Sequence, residues 1–135
     1  MKGPLSGIRI LDLTTMVSGP ISTMLLDDQG AEVIKIEAPG GEYMRRVGVK
    51  HSGMSSSFLT SNRVKRSVCL DIKRPEVSEI IQKLIATSDV LVQNFRPGVR
   101  ERLGLSEAAV REVSPSIVYV SVSYTHLTLP TSDLE

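Results

Sequence analysis

The stretch "IRILDLTTMVSGPISTMLLDDQGAEVIKIE", Ile8 to Glu37, decides the fold. Ile8–Leu13 alternates and is rich in β-formers, which predicts a strand. Helix punctuation follows: Ser18 can cap, Pro20 suits the first turn, and Gly30 ends the periodic run. Glu32–Glu37 alternates again and predicts a second strand. Strand, helix and strand in this order make a βαβ unit, whose strands are parallel and whose crossover is right-handed.

The pattern repeats downstream. Ala38–Glu42, "APGGE", is turn chemistry. Tyr43–Lys65 is the least regular part and predicts a long loop with a short helix near Ser56–Asn62. Ser67–Ile72 predicts a strand. Pro75 opens a helix to about Thr87, with Val77, Ile80, Ile81, Leu84 and Ile85 on one face. Asp89–Phe95 is another strand. "RPGVRERLG" leads into a short helix closed by Gly104, and Ser106 N-caps the next. Ser116–Val122 is the last strand. The class is therefore α/β, a Rossmann-like parallel sheet with helices on both faces. Ligands of such sheets bind beyond the carboxyl ends of the strands. That directs attention to Thr14–Pro20, Ala38–Glu42, Lys73–Pro75 and Asn94–Gly98.

At 135 residues the chain suits one domain, and 41% hydrophobic with 23% charged residues is ordinary for a globular protein. No apolar stretch approaches the roughly 20 residues of a membrane helix, and the N-terminus has no secretory h-region. The single cysteine, Cys69, excludes an internal disulfide and a multi-cysteine metal site. These features favour a cytoplasmic protein without metal or membrane. The net charge of +1 gives no sign of nucleic-acid binding. Its distribution is informative: Arg45–Arg102 holds 12 Lys or Arg against 5 Asp or Glu, and the rest holds 4 against 10. With three Tyr, two Phe and no Trp, stacking platforms are scarce, so a small phosphorylated ligand fits better than a polymer.

Several motifs admit two readings. "TTMVSGP" is neither a dinucleotide fingerprint nor a P-loop; it is a capped turn or an anion site at a helix N-terminus. In "QNFRPG", Arg96 either grips a phosphate or is solvated, and Phe95 either flanks a base or joins the core. "SNRVKRSVCLDIKRPE", Ser61–Glu76, carries cations at both ends of a strand. Arg63–Arg66, Lys73–Arg74, Arg96 and Arg102 converge if their strands are adjacent. Cys69 reads as a packed core cysteine, since a nucleophile needs an exposed thiolate. His51 has no evident role. Asp27 and Asp28 oppose the helix macrodipole.

The order of these blocks resembles the N-terminal part of the class III CoA-transferases of the CaiB/BaiF type, which include formyl-CoA transferase, carnitine CoA-transferase and α-methylacyl-CoA racemase. "PLSGIRILDLT…SGP" is similar to the family's opening strand and loop, and "LLDDQGAEVIKIEAPGGE" to its first helix and second strand. "NRVKRSVCLDIKRPE" resembles the signature N-x-x-K-R-S-x-x-L-D-x-K-x-P-E. "SDVLVQNFRPGVRERLGL" resembles D-V-x-x-x-N-F-R-P-G-x-x-x-x-L-G-L, and "SPSIVYVSVS" the strand that follows. The likeness runs from Pro4 to about Ser121.

The resemblance implies coenzyme A as substrate, held by Val17 and Ser18, Ala38, Leu70, Asp71, Ile72 and Lys73, Asn94, Phe95 and Arg96, and Arg102. Ala38 stands where many relatives carry Arg, and Thr15 where relatives often carry Arg or His. The implied chemistry is acyl transfer: an Asp attacks an acyl-CoA thioester, and a carboxylic acid acceptor finally takes the CoA. A racemase, or an inactive nucleotide-binding fragment, are the alternatives. The family's catalytic Asp is expected downstream of the matched blocks, and its members are homodimers of interlocked chains. The last residues, "VSYTHLTLPT" (Val122–Thr131), match the translation of a transposon-end adaptor used in sequencing libraries. Residues 1–121 are thus expected to be the native CoA-binding part and 122–135 a non-native tail.

Overall fold

A computed structural model describes residues 2–122. Its centre is a five-stranded sheet of β1 (Arg9–Leu13), β2 (Glu32–Glu37), β5 (Arg66–Cys69), β6 (Val90–Gln93) and β7 (Val118–Ser121), in the order β5-β2-β1-β6-β7. All four pairings are parallel. The α/β class read from the alternation is what the chain adopts.

Side-chain alternation sorts the strands onto two faces. Leu11, Leu13, Ile34, Ile36 and Leu91 turn to one face. There they meet Ile81 and Ile85 of α3 (Ser78–Ala86) and Val110 of α5 (Glu107–Val113). Ile10, Val33 and Val92 turn to the other face, with Leu26 of α1 (Ser18–Asp27) packed against them. Pro75 opens a 3₁₀ turn, Pro75–Val77, that feeds α3 as the proline predicts. Ile80 departs from the expected apolar face and is half exposed. Ser106 caps α5 by accepting from the Ala109 N–H at 3.3 Å.

The irregular segment holds more structure than expected. A 3₁₀ turn, Tyr43–Arg46, precedes a small hairpin of β3 (Lys50–His51) and β4 (Met54–Ser55). α2 then spans Ser56–Asn62, where a short helix was predicted. A four-residue helix, α4 (Val99–Arg102), follows β6. Cys69 corrects its expectation. β5 lies at the sheet edge, all four of its residues are exposed, and the thiol is free and exposed. No helix among the described residues is long and apolar enough to cross a membrane. Of the expected non-native tail, residues 123–135 lie outside the described residues; Val122 donates its N–H to Gln93 at 2.8 Å.

Candidate functional site

Because every strand runs the same way, the segments after β5, β2, β1 and β6 open on one rim. The winding reverses between β1 and β6, and there the loops diverge into the crevice that such sheets offer a ligand. Asn94 joins the two sides. Its Oδ1 accepts from the Thr15 N–H at 3.1 Å, and its Nδ2 donates to the Thr15 carbonyl at 2.8 Å.

The loop after β1 is also held from beneath. Asp12 Oδ1 accepts from both the N–H and the hydroxyl of buried Thr14. Lys35 Nζ donates to the Thr14 carbonyl at 2.9 Å, and Glu42 Oε1 accepts the Met16 N–H at 2.7 Å. Met16 has φ +72°, a left-handed conformation that few non-glycine residues adopt. Met16 and Val17 are about half exposed at the rim. Ser18 corrects its expectation: Val17 is the N-cap residue and no side chain caps α1. Ser18 is already the first helical residue, one position too late, and its carbonyl accepts the Ser22 hydroxyl at 2.7 Å.

The support is a buried polar network on the α1 side of the sheet. Asp12, Lys35 and Glu37 alternate onto this face with the apolar residues nearer the strand starts. Lys65 Nζ lies 2.9 Å from Asp12 Oδ2 and also donates to the Pro20 carbonyl and Asn62 Oδ1. Lys35 Nζ lies 2.6 Å from Glu42 Oε2, with both side chains 1% exposed. Arg45 grips both oxygens of Glu37, at 2.7 and 2.6 Å, and lies over the Phe58 ring at 3.8 Å. Burial pushes the Asp12 carboxyl up, but Lys65, Lys35 and the threonine hydroxyls outweigh it and hold it below its ordinary value. Burial lowers the Lys65 ammonium. Of this network the sequence singles out only Lys65, and as a ligand cation, not as a buried partner of Asp12.

The basic residues separate into two groups. Of the 16 Lys and Arg, nine make ion pairs. Arg63, Lys65 and Arg66 are among them, paired to Asp28, Asp12 and Glu32. The expected convergence of that trio with the later cations therefore does not occur. Lys73 and Arg74 follow β5, Arg96 follows β6, and Arg102 ends α4; none has an ion-pair partner among the described residues. Arg46, in the turn after β2, is likewise unpaired. β2 and β1 separate β5 from β6, so these cations are spread along the rim over three strand spacings, about 14 Å.

The remaining sequence-predicted residues have varied surroundings. Ala38 is exposed directly after β2. Asp71 Oδ1 accepts the Lys73 N–H at 3.2 Å, which shapes the turn after β5. Leu70, Ile72 and Phe95 pack partly buried against the apolar cluster. Ile72 also lines a hollow of about 250 Å³ between α3 and α5, bordered by Ile81, Ile85, Leu103 and Val113. That hollow lies on the α3 face, away from the α1-side network.

A sequence profile of CoA-transferase family III matches residues 5–125. The chain belongs to CoA-transferase family III. It is 43% identical over 122 residues to human succinyl-CoA:glutarate CoA-transferase, covering 89% of this chain and 28% of that protein. It is 39% identical to acetyl-CoA:oxalate CoA-transferase of Acetobacter aceti, covering 90% and 32%. Among solved structures, a CAIB/BAIF family protein from Brucella suis superimposes with TM-score 0.88 at 31% identity, covering 96% of this chain and 36% of that one. The chain thus spans about a third of the length of the curated relatives it matches. The family and fold class inferred from the quoted motifs are those found. CoA is the substrate by which the family is named.

Proposed function

We propose that this chain is the N-terminal, CoA-binding part of an enzyme that moves coenzyme A between an acyl-CoA thioester and a carboxylic acid. One observation carries the reading. Of the seven cations without an ion-pair partner among the described residues, five, Arg46, Lys73, Arg74, Arg96 and Arg102, follow the carboxyl ends of the strands; the others are Lys2 and Lys50. Unmatched cations on one rim suit the 3′-phosphate and diphosphate of CoA, and arginine offers them paired donors. Val17, Ser18, Ala38, Asn94 and Phe95 are assigned to the remaining CoA contacts, while Leu70, Asp71 and Ile72 belong to the turn that carries Lys73.

Titration calorimetry of the chain with CoA and dephospho-CoA tests the reading. Arg96→Ala and Arg102→Ala should each weaken CoA binding by about 1.5–3 kcal/mol, the usual worth of a hydrogen bond to a charged group. A cation that serves the 3′-phosphate loses its effect with dephospho-CoA. Unchanged CoA binding in both variants overturns the phosphate assignment. The transfer step is assigned to the part of the family fold beyond these residues, so the chain should bind CoA without exchanging thioesters. In the full-length enzyme the partner is a second copy of the same chain. Residues 122–135 are proposed to be a non-native tail; a genomic read that continues through "YTHLTLPT" would refute that.

A further inference from the structure

We propose that Lys35 and Glu42 are positioning residues: together they hold Met16–Ser18 in the one backbone conformation that presents Met16 and Val17 to the ligand crevice. The identity of the ligand rests on the function proposed above; the positioning does not. The two carboxylate oxygens of Glu42 are both committed. Oε1 accepts the Met16 N–H at 2.7 Å, and Oε2 lies in ion-pair contact with Lys35 Nζ at 2.6 Å without a hydrogen-bond donor among the described residues. Lys35 in turn donates to the Thr14 carbonyl at 2.9 Å. The pair therefore grips the loop on both sides of Thr15, whose own N–H and carbonyl are taken by Asn94.

Three features separate this arrangement from ordinary packing. First, both side chains are 1% exposed, and a buried ion pair adds little stability over apolar residues of the same size. Second, Met16 sits at φ +72°, which a non-glycine residue keeps only when its surroundings impose it. Third, Glu42 belongs to the turn after β2, where its N–H is tied to Glu37 Oε2 at 2.9 Å. The neighbouring strand end thus sets the shape of the β1 loop, on the β1 side of the crevice.

A glutamine at position 42 tests the assignment, because an amide has one oxygen and no charge where the Met16 N–H and the Lys35 ammonium each face a carboxylate oxygen. In Glu42→Gln an N–H must face either Met16 N–H or the Lys35 ammonium. Native-state amide exchange should show Met16 exchanging about tenfold to a hundredfold faster relative to Leu11 of β1, as expected for losing a bond to a charged acceptor. CoA affinity should fall about tenfold alongside. A second variant, Lys35→Met/Glu42→Leu, removes the ion pair together with both loop contacts and should show the same Met16 acceleration. A Met16-to-Leu11 exchange ratio equal to wild type in both variants overturns the proposal. If wild type does not bind CoA at all, the functional reading fails, and the exchange ratio still decides the positioning.

Discussion

Acid should remove the anchor of the turn after β2, and Glu37 sets the size of the loss. Its side chain is 3% exposed and accepts from Arg45 twice, from Ser67 Oγ at 2.6 Å and from the Glu42 N–H at 2.9 Å. Burial pushes the carboxyl up, but Arg45, Ser67 and the Glu42 N–H outweigh it and hold its pKa at about 2, against an ordinary 4.5. A depressed folded value means the stabilisation is complete above the unfolded value and disappears as pH falls from about 4.5 toward about 2. That gap corresponds to about 3 kcal/mol, a large part of the roughly 5–15 kcal/mol that holds a domain folded. The assay is urea denaturation of wild type and Glu37→Gln between neutral and strongly acid pH. Wild type should be the more stable at neutral pH, and the difference should close by about 3 kcal/mol through the window below about pH 4.5. Asp12 and Glu32, also held low, are common to both proteins and cancel in the difference. Parallel curves for the two proteins would refute the reasoning.

Other outcomes follow from single contacts. A Cβ at Gly19 would meet the buried Thr14 side chain at 2.5–2.7 Å, so Gly19→Ala should destabilise by about 1–3 kcal/mol although alanine is the better helix former; a higher melting temperature would refute it. Ser106→Ala should cost about 1 kcal/mol in denaturant titrations, whereas Ser18→Ala, at an uncapped position, should cost almost nothing. β7 is an edge strand with Val118 and Val120 exposed, so the chain should associate as concentration rises in sedimentation runs. Val120→Lys should suppress that association.

How legible was this in the sequence? The five sheet strands were, because each alternates and each is followed by turn residues or a capped helix. Strand order was not, and three errors trace to it. Cys69 was assigned to a core because a parallel strand was taken as covered on both faces; only its edge position exposes it. The basic run Arg63–Arg66 pointed to a ligand because its acceptors, Asp28, Asp12 and Glu32, lie 35, 53 and 34 residues away. The buried network went unnoticed, although a signal existed. Asp12, Lys35 and Glu37 occupy alternate positions of strands read as covered on both faces, and a charge in such a place must find a buried partner. The hairpin was missed because each of its strands has two residues. Its Ser52-Gly53 turn has φ of +50° and +79°, left-handed at both central residues, and the reading of Tyr43–Lys65 as a loop with one helix did not include it. Of the candidate site, the rim was legible from the strand ends. The clasp of Asn94 on Thr15 was not, because it joins residues 79 apart.

That clasp makes Asn94 behave as a piece of main chain. A side-chain amide has the same donor and acceptor as a peptide group, and here it presents both to one residue, as a neighbouring strand would. β1 and β6 have diverged by this point, yet their seam is closed by one further rung. An aspartate could supply only the acceptor and a lysine only the donor. The amide also retains one N–H and one lone pair after serving Thr15. A bound molecule at this seam therefore meets a surface whose hydrogen-bonding capacity is half spent, and which can offer it one donor and one acceptor without letting the strands part.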